Sequence, residues 1–170
     1  REAEITRLCT DSFTVSDSVE EGRLVGQLAR DLMQSTPRDD VIMWAALENS
    51  KVIGCVFFSR LRFDEDGRAV FLMAPVAVKT EHQNIGIGQK LIARGLENLR
   101  QRDVDFVLTY GDPNYYIKTS FQPISADMAS PPMGLRMPFG WLGQPLSPKN
   151  NWPLVGPSHC VAALQKAELW

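Results

Sequence analysis

The chain has little of what marks membrane-spanning, exported or nucleic-acid-binding proteins. Its longest apolar run, from Val70 to Val78, contains Pro75 and is far shorter than the roughly 20 apolar residues that span a bilayer. The net charge is only −2, which is not the basic surplus that electrostatic binding of nucleic acid requires. No charged segment followed by an apolar stretch opens the sequence, so we expect no export. Membranes and nucleic acids are therefore not the expected partners.

Cysteine and histidine are also scarce. The three cysteines, Cys9, Cys55 and Cys160, lie far apart and form no C-x-x-C pair, which predicts reduced, mostly buried thiols in a cytoplasmic protein. The two histidines, His82 and His159, have no third ligand at a spacing typical of metal sites. We expect both histidines in surface positions or loops, and no metal centre.

The composition is that of a folded domain. Hydrophobic residues make up 44% and charged residues 22% of the 170 residues, which is enough apolar material for a packed core and fits one domain over residues 1–170. Apolar side chains at helical spacing predict three longer helices, over residues 1–13, 19–33 and 89–102.

Strand-forming residues lie between and after these helices. β-Branched and aromatic residues dominate residues 41–47, 51–63 and 69–78, and the turn-prone residues between them predict an antiparallel meander of three strands. Residues 105–110 have the pattern of a buried strand after the third helix. The order strand, helix, strand predicts a right-handed parallel crossover.

The last third of the chain is expected to be rich in loops. Pro113 suits a first helical position, which favours one or two helical turns at residues 115–119. Residues 123–157 then hold eight of the eleven prolines and four of the twelve glycines, which predicts loops with one strand around residues 139–146. For residues 161–170 the pattern leaves strand and helix equally open.

Two glycines, Gly86 and Gly88, lie where the third strand leads into the third helix. The first N–H groups of a helix have no partner within the helix, and the helix dipole gives this end a partial positive charge. Glycine lets a ligand approach the backbone closely, so the loop predicts a site for a diphosphate. The dinucleotide fingerprint would need a third glycine at position 91, which is leucine, and a Walker A loop would need Gly-Lys-Ser/Thr, whereas Gly88 is followed by Gln89. Neither motif fits. A tight turn used only for packing is the alternative.

This loop resembles one found in a known enzyme family. Gln83, Gly86 and Gly88 match the Q/R-x-x-G-x-G/A loop of the GNAT superfamily of acyl-CoA-dependent N-acetyltransferases, and residues 75–78 resemble the strand before that loop. The resemblance covers about residues 41–121.

A second motif supports the resemblance further along the chain. Tyr116 and Phe121 match the Tyr-x-x-x-Gly-Phe pattern of the family, but Ser120 stands where the family usually has glycine. The Gly-Asp-Pro-x-Tyr-Tyr segment at residues 111–116 is similar to that of a small bacterial branch of predicted N-acetyltransferases.

The resemblance implies an α/β fold of GNAT type, with a mixed, mostly antiparallel sheet of six to seven strands that is split at one parallel junction and flanked by helices. It implies that coenzyme A lies in a V-shaped opening between strands 70–78 and 105–110. The pantetheine arm would bond to the backbone of Val76 and Val78, and a β-bulge would expose an N–H between residues 73 and 76 to the thioester oxygen. The implied cofactor-binding residues are Val76, Ala77, Val78, Gln83, Asn84, Ile85, Gly86, Ile87, Gly88, Gln89, Asp112, Tyr115 and Tyr116.

The implied reaction is acetyl transfer from acetyl-CoA to a primary amine of a small molecule or peptide, by direct attack of the neutral amine on the thioester. Tyr116 is the candidate acid that protonates the departing thiolate. The base remains open among Glu65, Glu81, Asp112 and a water held by the backbone. Two other functions are kept: a non-catalytic acyl-CoA sensor of the same fold, and a structural or nucleotide-binding domain.

Other parts of the site are less narrowly defined by the sequence. The expected partner of the 3′-phosphate of coenzyme A is one of the basic residues of the third helix and its end, which are Lys90, Arg94, Arg100 and Arg102. Trp141 is expected either in the core or lining an acceptor pocket. Residues 16–38 and 125–157 are expected to choose the acceptor, and the family resemblance implies a possible homodimer through the last strands.

Overall fold

The computed structural model describes residues 1–170 as a mixed sheet of seven strands with helices on both faces. The helices are α1 (Glu2–Ser16), α2 (Val19–Gln34), α3 (Ile87–Gln101) and α4 (Pro113–Tyr116). The strands are β1 (Val41–Glu48), β2 (Lys51–Phe63), β3 (Val70–Val78), β4 (Phe106–Tyr110), β5 (Gln122–Pro123), β6 (Trp141–Pro145) and β7 (Ser158–Cys160). Their order is β1-β2-β3-β4-β6-β5, with β7 paired to β2. The predicted fold class is confirmed.

The first three strands form the predicted antiparallel meander. β1 and β2 are joined by a two-residue turn in which Asn49 and Ser50 have φ values of 49° and 65°, the left-handed conformation that tight hairpins favour. α3 then crosses over the sheet, and β4 pairs parallel to β3. This is the predicted crossover and the one parallel pair of the sheet.

The parallel strands β3 and β4 are paired over only part of their length. The pairing runs from Val70 opposite Phe106 to Met73 opposite Thr109. β4 ends one residue later, whereas β3 continues to Val78. The second half of β3 remains paired with β2 but has no strand on its other side, and an opening forms in the sheet at the place that the family resemblance implies.

β3 also carries the expected β-bulge. Val56 of β2 lies opposite Val76, and Phe58 lies opposite Met73. Between these two pairs β2 has one residue and β3 has two, residues 74–75, so β3 contains one extra residue. A bulge bends its strand and increases the local twist. It falls where β3 and β4 separate, and it therefore helps to widen the opening.

Each face of the sheet packs against its own hydrophobic core. Alternate residues of β2 point to opposite faces, so Phe57 packs in the core with α1 and α2, and Phe58 packs in the core with α3. A Cβ on Gly95 would overlap the Phe58 ring, so this glycine lets α3 approach the sheet closely. No helix combines the length with the hydropathy that a bilayer-spanning segment needs.

The end of the chain is neither the strand nor the helix that its pattern left open. Residues 162–164 and 167–169 form two short 3₁₀ turns. Trp170 is buried, its indole N–H donates to the Leu164 carbonyl at 2.9 Å, and its ring stacks on Tyr110. Packing of this one large side chain against the body of the protein decides the path of the segment.

Trp141 belongs to the core rather than to an acceptor pocket. Only 1% of its surface is exposed, and its indole N–H donates to the Ala129 carbonyl at 2.9 Å. The predicted strand around residues 139–146 is β6, and the pairing of Trp141 with Tyr110 of β4 places the tryptophan inside the sheet.

Candidate active site

The opening between β3 and β4 has a closed end and an open end. At the closed end the Thr109 hydroxyl donates to the Met73 carbonyl at 2.7 Å. Near the open end the Lys79 N–H donates to Ile53 of β2 at 2.9 Å. Backbone groups alternate in direction along a strand, so those of Val76 and Val78 face the opening, and an extended chain could add there as a further strand.

Of the residues of β3 implied as cofactor-binding, Ala77 and the Val78 carbonyl are already engaged within the protein. Ala77 pairs with Cys55 of β2, and its side chain is buried in the core with α1, so Ala77 offers nothing to the opening. The Val78 carbonyl accepts hydrogen bonds from the Ser12 hydroxyl at 3.2 Å and from the Gln83 amide at 3.0 Å. The expected contacts at these residues are therefore reduced to Val76 and the Val78 N–H.

The loop before α3 has the unpaired amides that the sequence predicts. The Gln83 N–H donates to Thr80 at 3.3 Å, and the Lys90 N–H donates to Gly86 at 3.0 Å. Between them, the backbone N–H groups of residues 84–89 donate to no acceptor in the protein. These amides surround the start of α3, where the helix dipole is positive.

Gly86 gives this loop its shape and leaves one side of it open. Its φ of 87° lies in the left-handed region, and Asn84 has a φ of 62°. A Cβ added to Gly86 would have no atom within 4 Å. An anion can therefore reach the amides from this side, and Ile85, which is 66% exposed, lies at the rim of the loop.

Gly88 makes a packing contact that its motif does not predict. A Cβ on Gly88 would overlap the Tyr115 hydroxyl and would lie 3.6 Å from a methyl group of Val78. The glycine thus allows α4 to pack against the start of α3. Because Tyr115 is remote in sequence, the spacing of the two glycines could not reveal this contact.

Tyr116 lies at the closed end of the opening. A Cβ on Gly111 would be 2.6 Å from the Tyr116 ring, and the ring meets Phe121 edge-on at a centroid distance of 6.0 Å. The backbone turn at Gly111 and the packing of Phe121 therefore fix the position of the ring.

The surroundings of Tyr116 keep its phenol protonated. Burial raises the pKa of Tyr116 well above the ordinary tyrosine value, and the nearby Tyr115 and Asp112 act in the same direction, while a hydrogen bond with the Thr109 side chain partly opposes them. Thr109 forms the last pair between β3 and β4. A protonated phenol beside this pair is placed to give a proton to a group in the opening.

Tyr115 and Asp112 support this arrangement. The two tyrosine rings meet edge-on with centroids 5.0 Å apart, and burial raises the pKa of Tyr115 as well. The Asp112 carboxylate accepts the Asn114 N–H at 2.9 Å and so caps α4. Asp112 is exposed and is therefore better described as a capping residue than as a contact of the cofactor.

The candidate bases lie at different distances from the opening. Glu65 is in the turn between β2 and β3, where its N–H donates to Val155 at 3.3 Å, beyond the closed end of the opening and away from its mouth. Glu81 is exposed in the 3₁₀ turn after β3. Of the three carboxylates, Asp112 lies next to Tyr116, but it is engaged as a cap.

A groove of about 450 Å³ lies beside the loop, between α3 and the residues after α4. It is lined by Gly86, Gln89, Lys90, Ala93, Leu96, Arg100, Lys118, Thr119 and Ser120. Two of the four predicted basic residues, Lys90 and Arg100, line this groove. Arg94 instead lies over the Trp44 ring at 5.5 Å.

Lys118 and Ser12 are the members of the site that sequence reasoning missed. Lys118 follows Tyr116 by two residues. The helical turn predicted at residues 115–119 includes it, and this is the signal that could have identified it as a member of the site. Ser12 reaches Val78 across 66 residues of sequence, and no local pattern indicates that contact.

Comparison with known proteins agrees with this geometry. Residues 3–116 match the model of the Acetyltransferase (GNAT) family. The chain is 30% identical over 130 residues to the Escherichia coli (strain K12) protein named uncharacterized N-acetyltransferase YjhQ, covering 72% of each chain. It is 31% identical over 75 residues to uncharacterized N-acetyltransferase YhbS of the same strain, which is 44% of this chain and 45% of the relative.

Two solved structures share the fold. The GNAT family N-acetyltransferase YhbS from Escherichia coli, in complex with CoA, has a TM-score of 0.79 at 21% identity and covers 97% of this chain and 87% of its own. A GNAT family acetyltransferase from Brucella melitensis, in complex with acetyl-CoA, has a TM-score of 0.74 at 21% identity and covers 95% and 90%. From the family match, the sequence relatives and the shared fold, we conclude that the chain belongs to the acetyltransferase (GNAT) family and is an N-acetyltransferase.

Proposed function

We propose that this enzyme transfers the acetyl group of acetyl-CoA to a primary amine of a small molecule or peptide by direct attack. The observation that carries the proposal is the run of unpaired backbone amides at residues 84–89, which leads into an opening that ends at Tyr116. The first N–H groups of any helix lack partners within it, but here the unpaired run begins before α3 and surrounds Gly86, whose open side meets no atom within 4 Å, so the amides form an accessible group of donors for an anion.

The donor is held along three parts of the site. The amides of residues 84–89 bind the diphosphate, and Lys90, Arg100 and Lys118 in the neighbouring groove attract the 3′-phosphate. The pantetheine arm extends along β3, where the backbone of Val76 and the Val78 N–H face the opening. This path directs the thioester towards the closed end, beside Thr109.

The reaction forms a C–N bond to the acetyl carbon and breaks its C–S bond. The amine must first lose the proton that it carries at neutral pH, and water is the expected acceptor of this proton, since no carboxylate is free beside Tyr116. After the attack the nitrogen loses a second proton to solvent, Tyr116 gives its phenolic proton to the departing thiolate as the C–S bond breaks, and the phenolate regains a proton from solvent. An acid of this kind contributes about 10²–10⁴-fold to the rate.

The experiment that tests the proposal measures release of the free thiol of coenzyme A from acetyl-CoA in the presence of a panel of primary amines and peptides. We expect thiol release that depends on the amine, with an acetylated product of matching amount. Tight binding of acetyl-CoA without thiol release would instead support the acyl-CoA sensor, and absence of binding would support the structural domain.

Three further expectations belong to the same proposal. Residues 1–170 act as one N-acetyltransferase domain, and its location is the cytoplasm, which fits the three buried and unpaired cysteines. A homodimer through the last strand would use β7. Sedimentation at several protein concentrations tests the dimer.

A further inference from the structure

A histidine just before the loop that leads into α3 contacts the β1–β2 hairpin. The Nε2 atom of His82 lies 3.0 Å from a carboxylate oxygen of Glu48, the last residue of β1. The His82 side chain is only 19% exposed, whereas that of Glu48 is 57% exposed. The motif that identifies the loop begins at Gln83, so it assigns no role to His82.

The buried side of the His82 ring determines which nitrogen carries the proton. Nδ1 is buried and has no hydrogen-bond partner within the protein. A proton on Nδ1 would be a buried donor without an acceptor, which costs free energy. The neutral ring therefore carries its proton on Nε2 and donates it to the Glu48 carboxylate, a charged acceptor that strengthens the bond.

Glu48 is a firm point of attachment because it belongs to a tight hairpin. It pairs with Lys51 directly across the two-residue turn. The N–H of Val52, the next residue of β2, donates to the Glu4 carboxylate of α1 at 2.7 Å. The end of the hairpin is thus joined both to the sheet and to α1, and it offers the loop a fixed partner.

The loop itself has few attachments of its own. No hydrogen bond within the protein holds residues 84–85. Before them, the Gln83 side-chain amide donates to the Val78 carbonyl at 3.0 Å, and the His82 N–H donates to the Lys79 carbonyl at 2.8 Å. The position of the unpaired amides therefore depends on how the two ends of the loop are held, and the His82 side chain joins the first end to β1.

We propose that His82 is a positioning residue for the donor: through its bond to Glu48 it holds the loop so that the amides of residues 84–89 meet the diphosphate. The inference rests on the proposed function, which places the diphosphate at these amides. A loop that is held before the ligand arrives loses less conformational freedom on binding. Loss of the bond should therefore weaken the binding of donors that carry a diphosphate and should spare the chemical step at Tyr116.

The test compares acetyl-CoA with S-acetylpantetheine, which has the same thioester but no diphosphate. His82→Ala should raise the Kd and the KM for acetyl-CoA roughly three- to tenfold, between the effects of an exposed ion pair and of a hydrogen bond to a charged group. The kcat with acetyl-CoA and the kcat/KM with S-acetylpantetheine should each stay within about twofold. General damage to the fold would instead lower activity with both donors.

Glu48→Ala should raise the Kd for acetyl-CoA as much as His82→Ala does. The double variant should be no weaker than either single variant, because both changes remove the same bond. This arm also separates positioning from charge, since removal of a carboxylate that merely repelled the diphosphate would tighten binding. His82→Gln places an amide N–H near the position of Nε2 and should recover most of the lost affinity.

The chain offers a matched control in its other histidine. The Nε2 atom of His159, in β7, lies 2.9 Å from a carboxylate oxygen of Asp64, which is the same kind of pair at a distance from the loop. Asp64 follows β2 directly, and its N–H donates to the Pro157 carbonyl. His159→Ala should leave the Kd and the KM for acetyl-CoA unchanged.

Five results would overturn the inference while the proposed function stands. These are an unchanged Kd in His82→Ala, tighter binding in Glu48→Ala, an equal loss with S-acetylpantetheine, an equal loss in His159→Ala, and a loss in His82→Gln as large as in His82→Ala. Failure of the proposed function is recognised in the unaltered protein. Absence of acetyl-CoA binding there would overturn both proposals, whereas binding without thiol release would overturn the proposed transfer and leave the Kd measurements to decide the role of His82.

Discussion

The Tyr115 hydroxyl occupies the place that a side chain on Gly88 would need. This contact joins the start of α3, where the loop amides are unpaired, to the helix that carries Tyr116. The two motifs that are separated in sequence, the glycine loop and the tyrosine pair, are therefore packed against each other.

Gly88→Ala should lower the free energy of unfolding by about 1–3 kcal/mol, as overpacking of a tight contact does. Tyr115→Phe removes the overlapping oxygen, and the next atom of the ring would lie 3.5 Å from the new Cβ, an ordinary contact. The double variant should therefore recover part of the loss. Denaturation in urea measures all three, and the explanation fails if the double variant is no more stable than Gly88→Ala.

Acetyl-CoA should raise the melting temperature by about 5–10 °C at a concentration near 100 times its Kd, whereas NAD should have little effect. Gly86→Phe should remove this shift, because a ring there would fill the side from which the amides are reached. Gly134→Phe is the control, since a Cβ at Gly134 also meets no atom within 4 Å but lies outside the loop. An undiminished shift in Gly86→Phe would contradict binding at these amides.

Tyr116→Phe should leave the Kd for acetyl-CoA unchanged within about twofold and lower kcat by about 10²–10⁴-fold. The phenyl ring keeps the packing against Gly111 and Phe121 and loses only the hydroxyl group, with its proton and its hydrogen bond to Thr109. Tyr115→Phe is the comparison, and it should change kcat much less. Binding and thiol release are measured on the same preparations. If Tyr116→Phe turned over normally, Tyr116 would not be the acid.

The pH dependence follows from the raised pKa of Tyr116. The acid must be protonated, so activity is lost only as pH rises through its pKa, which lies above the ordinary tyrosine value near 10. Deprotonation of the acceptor's ammonium group acts in the opposite sense and increases the rate as pH rises. A plot of kcat/KM against pH should therefore rise towards pH 9 with no alkaline decline below pH 10, and a decline near pH 7 would point to another acid.

Ser120→Gly should raise the free energy of unfolding by about 0.5–1 kcal/mol. Ser120 has a φ of 72°, a left-handed conformation that glycine adopts without steric cost. This also explains why glycine is usual at this position in the family pattern. Ser120→Ala, which keeps a Cβ, should give no gain, and thermal melting of the two variants distinguishes the backbone effect from loss of the hydroxyl.

The parts of the fold that follow from short-range signals could be predicted. The apolar stripe of α3 and the alternation and turns around β2 depend on neighbours a few residues apart. The unpaired amides before α3 and the left-handed turn at Gly86 also follow from local backbone chemistry. The family resemblance supplied what these signals did not: the opening beside β3 and a role for Tyr116.

The contacts that complete the site could not be predicted because they join distant parts of the chain. Ser12 meets Val78, Gly88 meets Tyr115, and Trp170 turns the last ten residues back onto Tyr110. Each depends on which surfaces face one another after the sheet and helices pack.

The amino-acid sequence by itself thus determined the helices, the strands β1 to β4 and β6, the glycine loop and the membership of an enzyme family, because these are set by local conformational preference and by motifs of fixed spacing. Only the tertiary structure decided that Ala77 turns away from the opening, that Trp141 is buried, and that the Tyr115 hydroxyl lies against Gly88. The reason is that close packing, and not sequence separation, determines which side chains meet.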